Sequence, residues 1–315
     1  MGNLQRAHSI CVVIPAYKVS KHLVNVIKSI GPEVSKIIVV DDACPELSGE
    51  TLRKVVSDSR LEVIHHTANK GVGGAVKTGY RRALEQGFEV IVKIDGDGQM
   101  DSSKIPALIE PILNDRSDYT KGNRFFGIEA IQQMPKIRIV GNLVLTFMAK
   151  FSTGLWHIFD ANNGFTAIRG STLNELNLDK IDNRYFFESD MLFRLNINQA
   201  RVIDIPLPAI YGEEKSNLRI KRVLFEFPIK HARNYIKRIA YTYYLRDFNL
   251  ASVELPVGLL LSGFALTLGG YSWIRGIITT TPTETGTLVL IAMCFLSGLQ
   301  LLLAFLSHDT NNSKR

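Results

Sequence analysis

The sequence predicts an α/β fold on a mostly parallel sheet, followed by two membrane-crossing helices. Three observations carry this. Over roughly the first 210 residues, short apolar runs that end in polar residues alternate with helical patterns. Two long apolar stretches without a charge close the chain. Positive charge is gathered just ahead of those stretches instead of being spread along the chain.

Residues 10–14 form an apolar run stopped by Pro15, the pattern of a buried strand, and residues 21–30 have helical spacing. Residues 36–40 (KIIVV) make a second buried strand that ends at Asp41-Asp42. A helix over 49–58, a strand over 61–65, a helix over 72–86 and a strand over 88–94 follow, the last ended by Asp95. Strands alternating with helices of this length indicate βαβ units. Ligands of such sheets bind beyond the carboxyl ends of the strands. Pro15-Ala-Tyr17, Asp41-Asp42, the loop 67–74 and Asp95-Gly-Asp97-Gly-Gln99 stand at those ends, so they are expected to line one crevice.

Composition narrows the class. With 46% hydrophobic and 21% charged residues, the 315-residue chain can bury a core. Lys+Arg outnumber Asp+Glu by 37 to 30, for a net charge of +7. Residues 215–246 hold nine Lys/Arg against one acid, Glu226, so their net +8 leaves the rest of the chain close to neutral. Cys11, Cys44 and Cys294 stand far apart, which argues against a disulfide framework or a zinc site. The opening MGNLQRAHSI has no apolar core, so no signal peptide is expected, and Arg6 occupies the position where myristoylation needs Ser or Thr.

The end of the chain reads as a membrane hairpin. Residues 255–274 and 285–307 are uncharged runs of 20 and 23 residues. A helix of either length crosses a hydrocarbon core of about 30 Å. Core helices of soluble proteins are rarely uncharged on every face. The preceding basic segment and the final Lys314-Arg315 predict a cytoplasmic catalytic domain and tail in a bacterial-type inner membrane. Ile220, Val223, Leu224, Phe227, Ile229, Tyr235, Ile236 and Ile239 alternate with the basic residues, as in amphipathic helices lying on an anionic bilayer. Nucleic acid is not expected, because no recognition module accompanies the charge. The expected division is a domain over 1–217, juxtamembrane helices over 218–250, a hairpin over 251–308 and a tail over 309–315.

Two motif matches fail on inspection. Gly71-Val-Gly-Gly-Ala-Val-Lys77-Thr78 nearly spells a P-loop, but Val76 replaces the glycine before the lysine and the motif follows the third strand. These glycines suit a loop passing close to a ligand or strand, ahead of a helix whose N-terminus favours an anion. Asp95 to Asp101 resembles the start of a calcium loop, but Met100 stands where glycine is required and Pro106 where the last Glu is required. Asp95, Asp97 and Gln99 instead present hard oxygen donors that suit Mg²⁺ or Mn²⁺ beside a diphosphate. Such an ion would neutralise charge on a departing nucleoside diphosphate. An Asp-Gly turn uses the same residues.

In this order, Val13-Ile-Pro15-Ala-Tyr17, Ile38-Val-Val-Asp41-Asp42, Asn69-Lys-Gly71-Val-Gly73-Gly-Ala75 and Asp95-Gly-Asp97-Gly-Gln99 resemble glycosyltransferase family 2. The resemblance implies the GT-A (nucleotide-diphospho-sugar transferase) fold and inverting transfer from a nucleotide-sugar. With the terminal hairpin, the chain looks like the bacterial polyprenyl-phosphate glycosyltransferases, relatives of the dolichyl-phosphate mannose and glucose synthases. The motifs cover roughly residues 10–220.

The site residues implied by the resemblance fall into four groups. Pro15, Tyr17, Asp41 and Asp42 match positions that hold the donor's base and ribose, with Gly71 and Lys77 assigned to the same donor site. Asp95, Asp97 and Gln99 match the metal and diphosphate site. Arg124, Arg138 and Asn142 are expected near the acceptor phosphate. The last two share a helix face by their i, i+4 spacing, and guanidinium forks suit phosphate. Lys215 and Ser216 resemble a flexible loop near the diphosphate and complete that set. Asp97 is joined as a candidate catalytic carboxylate by Asp160, in Asp160-Ala-Asn-Asn-Gly164-Phe165, and by Glu188 and Asp190, in Phe187-Glu188-Ser-Asp190-Met-Leu192. The last two exchange acid types relative to the family's Phe-Asp-x-Glu-x-Leu.

The implied partners are a UDP- or GDP-linked sugar, undecaprenyl phosphate and the bilayer; whether the chain forms a homo-oligomer stays open. Three other readings also stay open: a transferase acting on another membrane lipid, a nucleotide-sugar-binding scaffold without turnover, and a membrane nucleotidyltransferase. A processive synthase is expected to carry Gln-x-x-Arg-Trp, and neither Trp156 nor Trp273 follows an Arg.

Overall fold

β1 (Ile10–Ala16) and β2 (Lys36–Asp41) are apolar almost throughout and buried along nearly their whole length, as central parallel strands must be. They belong to a computed structural model that describes residues 9–46, 48–126, 136–207 and 220–312. With β3 (Leu61–His65), β4 (Val90–Lys93), β5 (Tyr119–Asn123), β6 (Thr166–Arg169) and β7 (Val202–Pro206) they form one seven-stranded sheet, ordered β3-β2-β1-β4-β6-β5-β7. β3, β2, β1 and β4 run parallel, with Val12 opposite both Ile37 and Val92. β6 is antiparallel to both of its neighbours, and β5 is parallel to β7. Six strands therefore end at one edge of the sheet, and the reversed β6 begins there.

Alternation along the strands divides the core into two layers. Val12, Ile14, Ile37 and Val39 pack with residues of α1 (Ser20–Ser29), α2 (Ser48–Val55) and α4 (Ile105–Leu113). Val13, Ile38 and Ile91 pack with α3 (Val72–Glu85), α6 (Gly170–Glu175) and α7 (Phe187–Ile197), and α5 (Lys136–Thr153) contributes Ala149 to this second layer. β1 runs two residues past the expected end, through Pro15. The β4 ladder stops at Val13 opposite Lys93, so Pro15 lies where β1 is already an edge on that side and a missing N–H is tolerated.

Ile236–Arg315 form a second compact unit. The segment 218–250 contains α8 (Ile220–Ala240) and a π-helical segment, Tyr241–Arg246; the boundary between the units falls within α8. α9 (Leu250–Thr279) and α10 (Thr285–Asn312) are each long and apolar enough to cross a membrane. α9 outruns the uncharged stretch at both ends, taking in Glu254 and Arg275. A capping box of Asn249 and Ser252 sets its start. The two helices meet through small residues: a Cβ on Gly298 would lie 2.4 Å from Ser262 Oγ and 2.7 Å from its backbone nitrogen. Arg238 forks onto Asp309 at 2.6 and 2.9 Å, and Tyr243 donates to the same carboxylate at 2.8 Å.

Candidate active site

The residues at the ends of β1 to β4 meet along one edge, with the structure dividing them between fastening and display. Asp41 and Asp42 are both buried. Asp41 accepts the backbone N–H groups of Cys44 and Gly49, each at 2.8 Å, which ties down the start of α2. Asp42 accepts from the Lys70 and Gly71 N–H groups at 2.8 and 2.7 Å, and His66 Nδ1 lies 2.7 Å away. The anion expected ahead of α3 is thus supplied by the protein itself. Gly71 has φ +87°, and a Cβ there would meet the Asn183 carbonyl at 2.5 Å. A Cβ on Gly73 would meet the Asp182 carbonyl at 2.4 Å. These glycines bring α3 against the backbone of residues 182–183. Lys77 points the same way: its buried ammonium donates to the Ile181 carbonyl at 2.7 Å, and burial lowers its pKa. Pro15 lies within β1, whereas Tyr17 is exposed, with the Lys18 ammonium 5.7 Å from its ring centre.

Asp95 and Asp97 follow β4 and are partly exposed. Gln99, also partly exposed, donates its N–H to Asp97 Oδ1 at 3.0 Å. Behind them the fully buried Lys93 bridges Asp95 Oδ1 at 2.9 Å and Glu188 Oε1 at 3.0 Å. Burial works against the Lys93 charge, but the two carboxylates outweigh it and raise its pKa. Burial raises the Glu188 pKa above the usual carboxylate range despite the ammonium. The Asp95 contact is an ion pair without hydrogen-bond geometry, and among the described residues Asp95 Oδ1 has no other donor. Among the described residues no three His, Cys, Asp or Glu side chains gather to hold a metal. Two carboxylates nevertheless fit a divalent ion whose other ligands are diphosphate oxygens and water. The Asp95 side chain is 30% exposed, which leaves its carboxylate within reach of such an ion.

The β5 side of the edge is closed. The buried Lys121 donates to the Phe159 and Asp160 carbonyls at 2.6 and 2.8 Å and lies 3.3 Å from Asp204. Asp160 has φ +52° and accepts a two-pronged contact from Arg124, Nε at 2.7 Å and Nη2 at 2.6 Å. Burial opposes ionisation of Asp160, but Arg124 and Lys121 outweigh it and hold its carboxyl below the usual range. Arg124, expected at the acceptor phosphate, therefore engages Asp160. Asn142 lies on α5, whose Val140, Leu143, Val144 and Phe147 are exposed at helical spacing. The backbone of Arg138 is on the same helix, but its side chain, like Lys215 and Ser216, falls outside the described residues.

Glu188 and Asp190 sit two positions apart on α7 and so point to different sides. Glu188 faces Lys93. Asp190 accepts the Asp182 N–H at 2.9 Å and Asn234 Nδ2 at 3.0 Å, linking α7 to α8. Sequence reasoning missed Lys93, Lys121, His66 and Asp204. A signal existed for Lys93, which closes the apolar run of β4.

Residues 11–176 match the family description Glycosyl transferase family 2. A UDP-N-acetylglucosamine–dolichyl-phosphate N-acetylglucosaminyltransferase of Methanococcus voltae is 31% identical over 65% of this chain and 86% of its own length. An undecaprenyl-phosphate mannosyltransferase of Micrococcus luteus is 29% identical over 65% of this chain and 84% of its own. Glucosyl-3-phosphoglycerate synthase from Mycobacterium tuberculosis, solved with Mn²⁺, UDP and glucosyl-3-phosphoglycerate, superposes with a TM-score of 0.52. It is 17% identical, over 73% of this chain and 80% of that one, and so shares the fold.

Proposed function

The chain belongs to glycosyltransferase family 2, and from that premise we propose that it moves a sugar from a UDP- or GDP-linked donor to a polyprenyl phosphate. The acceptor would be undecaprenyl phosphate, met at the cytoplasmic face of the membrane, and the product a polyprenyl-phospho-sugar for cell-surface glycan assembly. The polyprenyl-phosphate and dolichyl-phosphate transferases among its relatives support this acceptor class.

The observation that carries the reading is that three of the four candidate catalytic carboxylates are committed, the fourth, Asp97, being read as an ion ligand. Asp160 is gripped by Arg124, Asp190 by a backbone N–H and Asn234, and Glu188 by Lys93. A hydroxyl acceptor would need one of them to take its proton. A phosphomonoester has a second pKa near 6 and brings its own anionic oxygen. That oxygen would attack the anomeric carbon as the bond to the diphosphate breaks, a single displacement that inverts the centre. The chain's part is positioning: Tyr17 beside the base, the Arg124–Asp160 pair holding the acceptor side rigid, and the exposed apolar stripe of α5 alongside the lipid. Asp95 and Asp97, with Gln99, would hold Mg²⁺ or Mn²⁺, which when bound neutralises charge on the departing nucleoside diphosphate.

The test uses purified protein in detergent with Mg²⁺ or Mn²⁺, undecaprenyl phosphate and radiolabelled UDP- and GDP-sugars. One donor should label the lipid, and Asp97→Asn should cut that label about 100-fold. Saturable donor binding with no lipid labelling from any donor would sink the polyprenyl-phosphate acceptor.

A further inference from the structure

We propose that Lys93 is a positioning residue for the diphosphate end of the donor site: its buried ammonium, held from behind by Glu188, sets the direction in which Asp95 presents its carboxylate to a divalent ion. The inference rests on the reading of Asp95 as an ion ligand. Among the described residues Lys93 is the only partner of the Asp95 carboxylate, at 2.9 Å. The Asp95 side chain is 30% exposed, whereas that of Glu188 is 11% exposed. The ammonium thus has a buried acid behind it and a half-open acid in front. Gly164 closes the remaining side. A Cβ at that position would lie 2.3 Å from Lys93 Nζ and 2.6 Å from Asp95 Oδ2. The ammonium and the carboxylate are therefore packed under a residue with no side chain.

The competing role is charge balance alone, in which Lys93 serves only to neutralise the buried Glu188. The two roles separate when both charges are removed together. Groups that orient a metal ligand typically change metal affinity by about 10- to 100-fold when lost. The experiment is Mn²⁺ binding to the full-length protein in detergent, read by electron paramagnetic resonance with saturating UDP and, separately, GDP. Glu188→Gln keeps the ammonium on Asp95 and should shift Mn²⁺ affinity by less than about threefold. Lys93→Met/Glu188→Gln should retain a cooperative melt yet weaken Mn²⁺ by at least about tenfold. Equal affinities in the single and double variants, or a full loss in the single, would overturn the inference. Should the double variant not fold, Gly164→Ala supplies the test, because its methyl must displace both groups: weakened Mn²⁺ binding is expected, and wild-type affinity would overturn the proposal. Wild-type protein that binds no Mn²⁺ with either nucleotide would overturn the donor-site reading, and this inference with it.

Discussion

Lys93 and Lys121 end up buried on neighbouring parts of one sheet edge and do opposite things there. Lys93, at the end of β4, is shared between two carboxylates, one of which stays half open to solvent. Lys121, in β5, is spent on the Phe159 and Asp160 carbonyls and on the partly buried Asp204. The first arrangement leaves charge available to a ligand; the second closes a loop. The difference teaches that a buried lysine marks the site edge without saying which half binds. That is decided by whether its partners are carboxylates with an open side or backbone carbonyls.

This contrast can be broken by mutation. The largest effect is expected for Lys121→Met, which leaves Asp204 and the 159–160 carbonyls uncompensated. Breaking a buried ion pair costs about 3–5 kcal/mol, so the thermal melt should fall sharply with or without nucleotide. Asp97→Asn should do the reverse, keeping the melt but lowering lipid labelling about 100-fold, since one tenfold step is about 1.4 kcal/mol and a lost ion contact costs several. If it melted early and kept its activity, the assignment of the two halves would be inverted. Gly71→Ala sharpens the comparison from within the donor half. A side chain at φ +87° against the Asn183 carbonyl should cost about 1–3 kcal/mol, read as a lower melting temperature.

The smallest expected effect is a pH trend. Asp160 titrates below its unfolded value, so its ionised form stabilises the fold at neutral pH, and that contribution is lost as pH falls through the folded pKa. The melting difference between wild type and Asp160→Asn should therefore shrink as pH drops below about 4. A constant difference from pH 7 to pH 3 would show that Asp160 acts through shape alone.

The parallel half of the sheet was legible because β1, β2 and β4 are buried and read as nearly unbroken apolar runs, while the partly buried edge strand β3 follows in step with them. β5, β6 and β7 were not assigned from the sequence. Their segments, YTKGN, TAIR and VIDIP, are short and carry charge, and β6 runs against its neighbours. The site was legible as an edge: the Asp41-Asp42, Gly71 and Asp95-to-Gln99 segments all lie where strand ends predict. The commitments of those side chains were not. Asp42 and Lys77, expected at the donor site, also hold the loop before α3 and the Ile181 carbonyl through hydrogen bonds to backbone.

Local pattern alone settled which segments are strands in the parallel half, where the membrane-length helices lie, and which carboxylates follow β4. These depend on periodicity and length, properties of neighbouring residues. Tertiary structure decided the pairings: Arg124 with Asp160 across 36 positions, Lys93 with Glu188 across 95, and Lys77 with the Ile181 carbonyl across 104. A buried charge must find its partner in space, and nothing in its near neighbours along the chain records which partner that is.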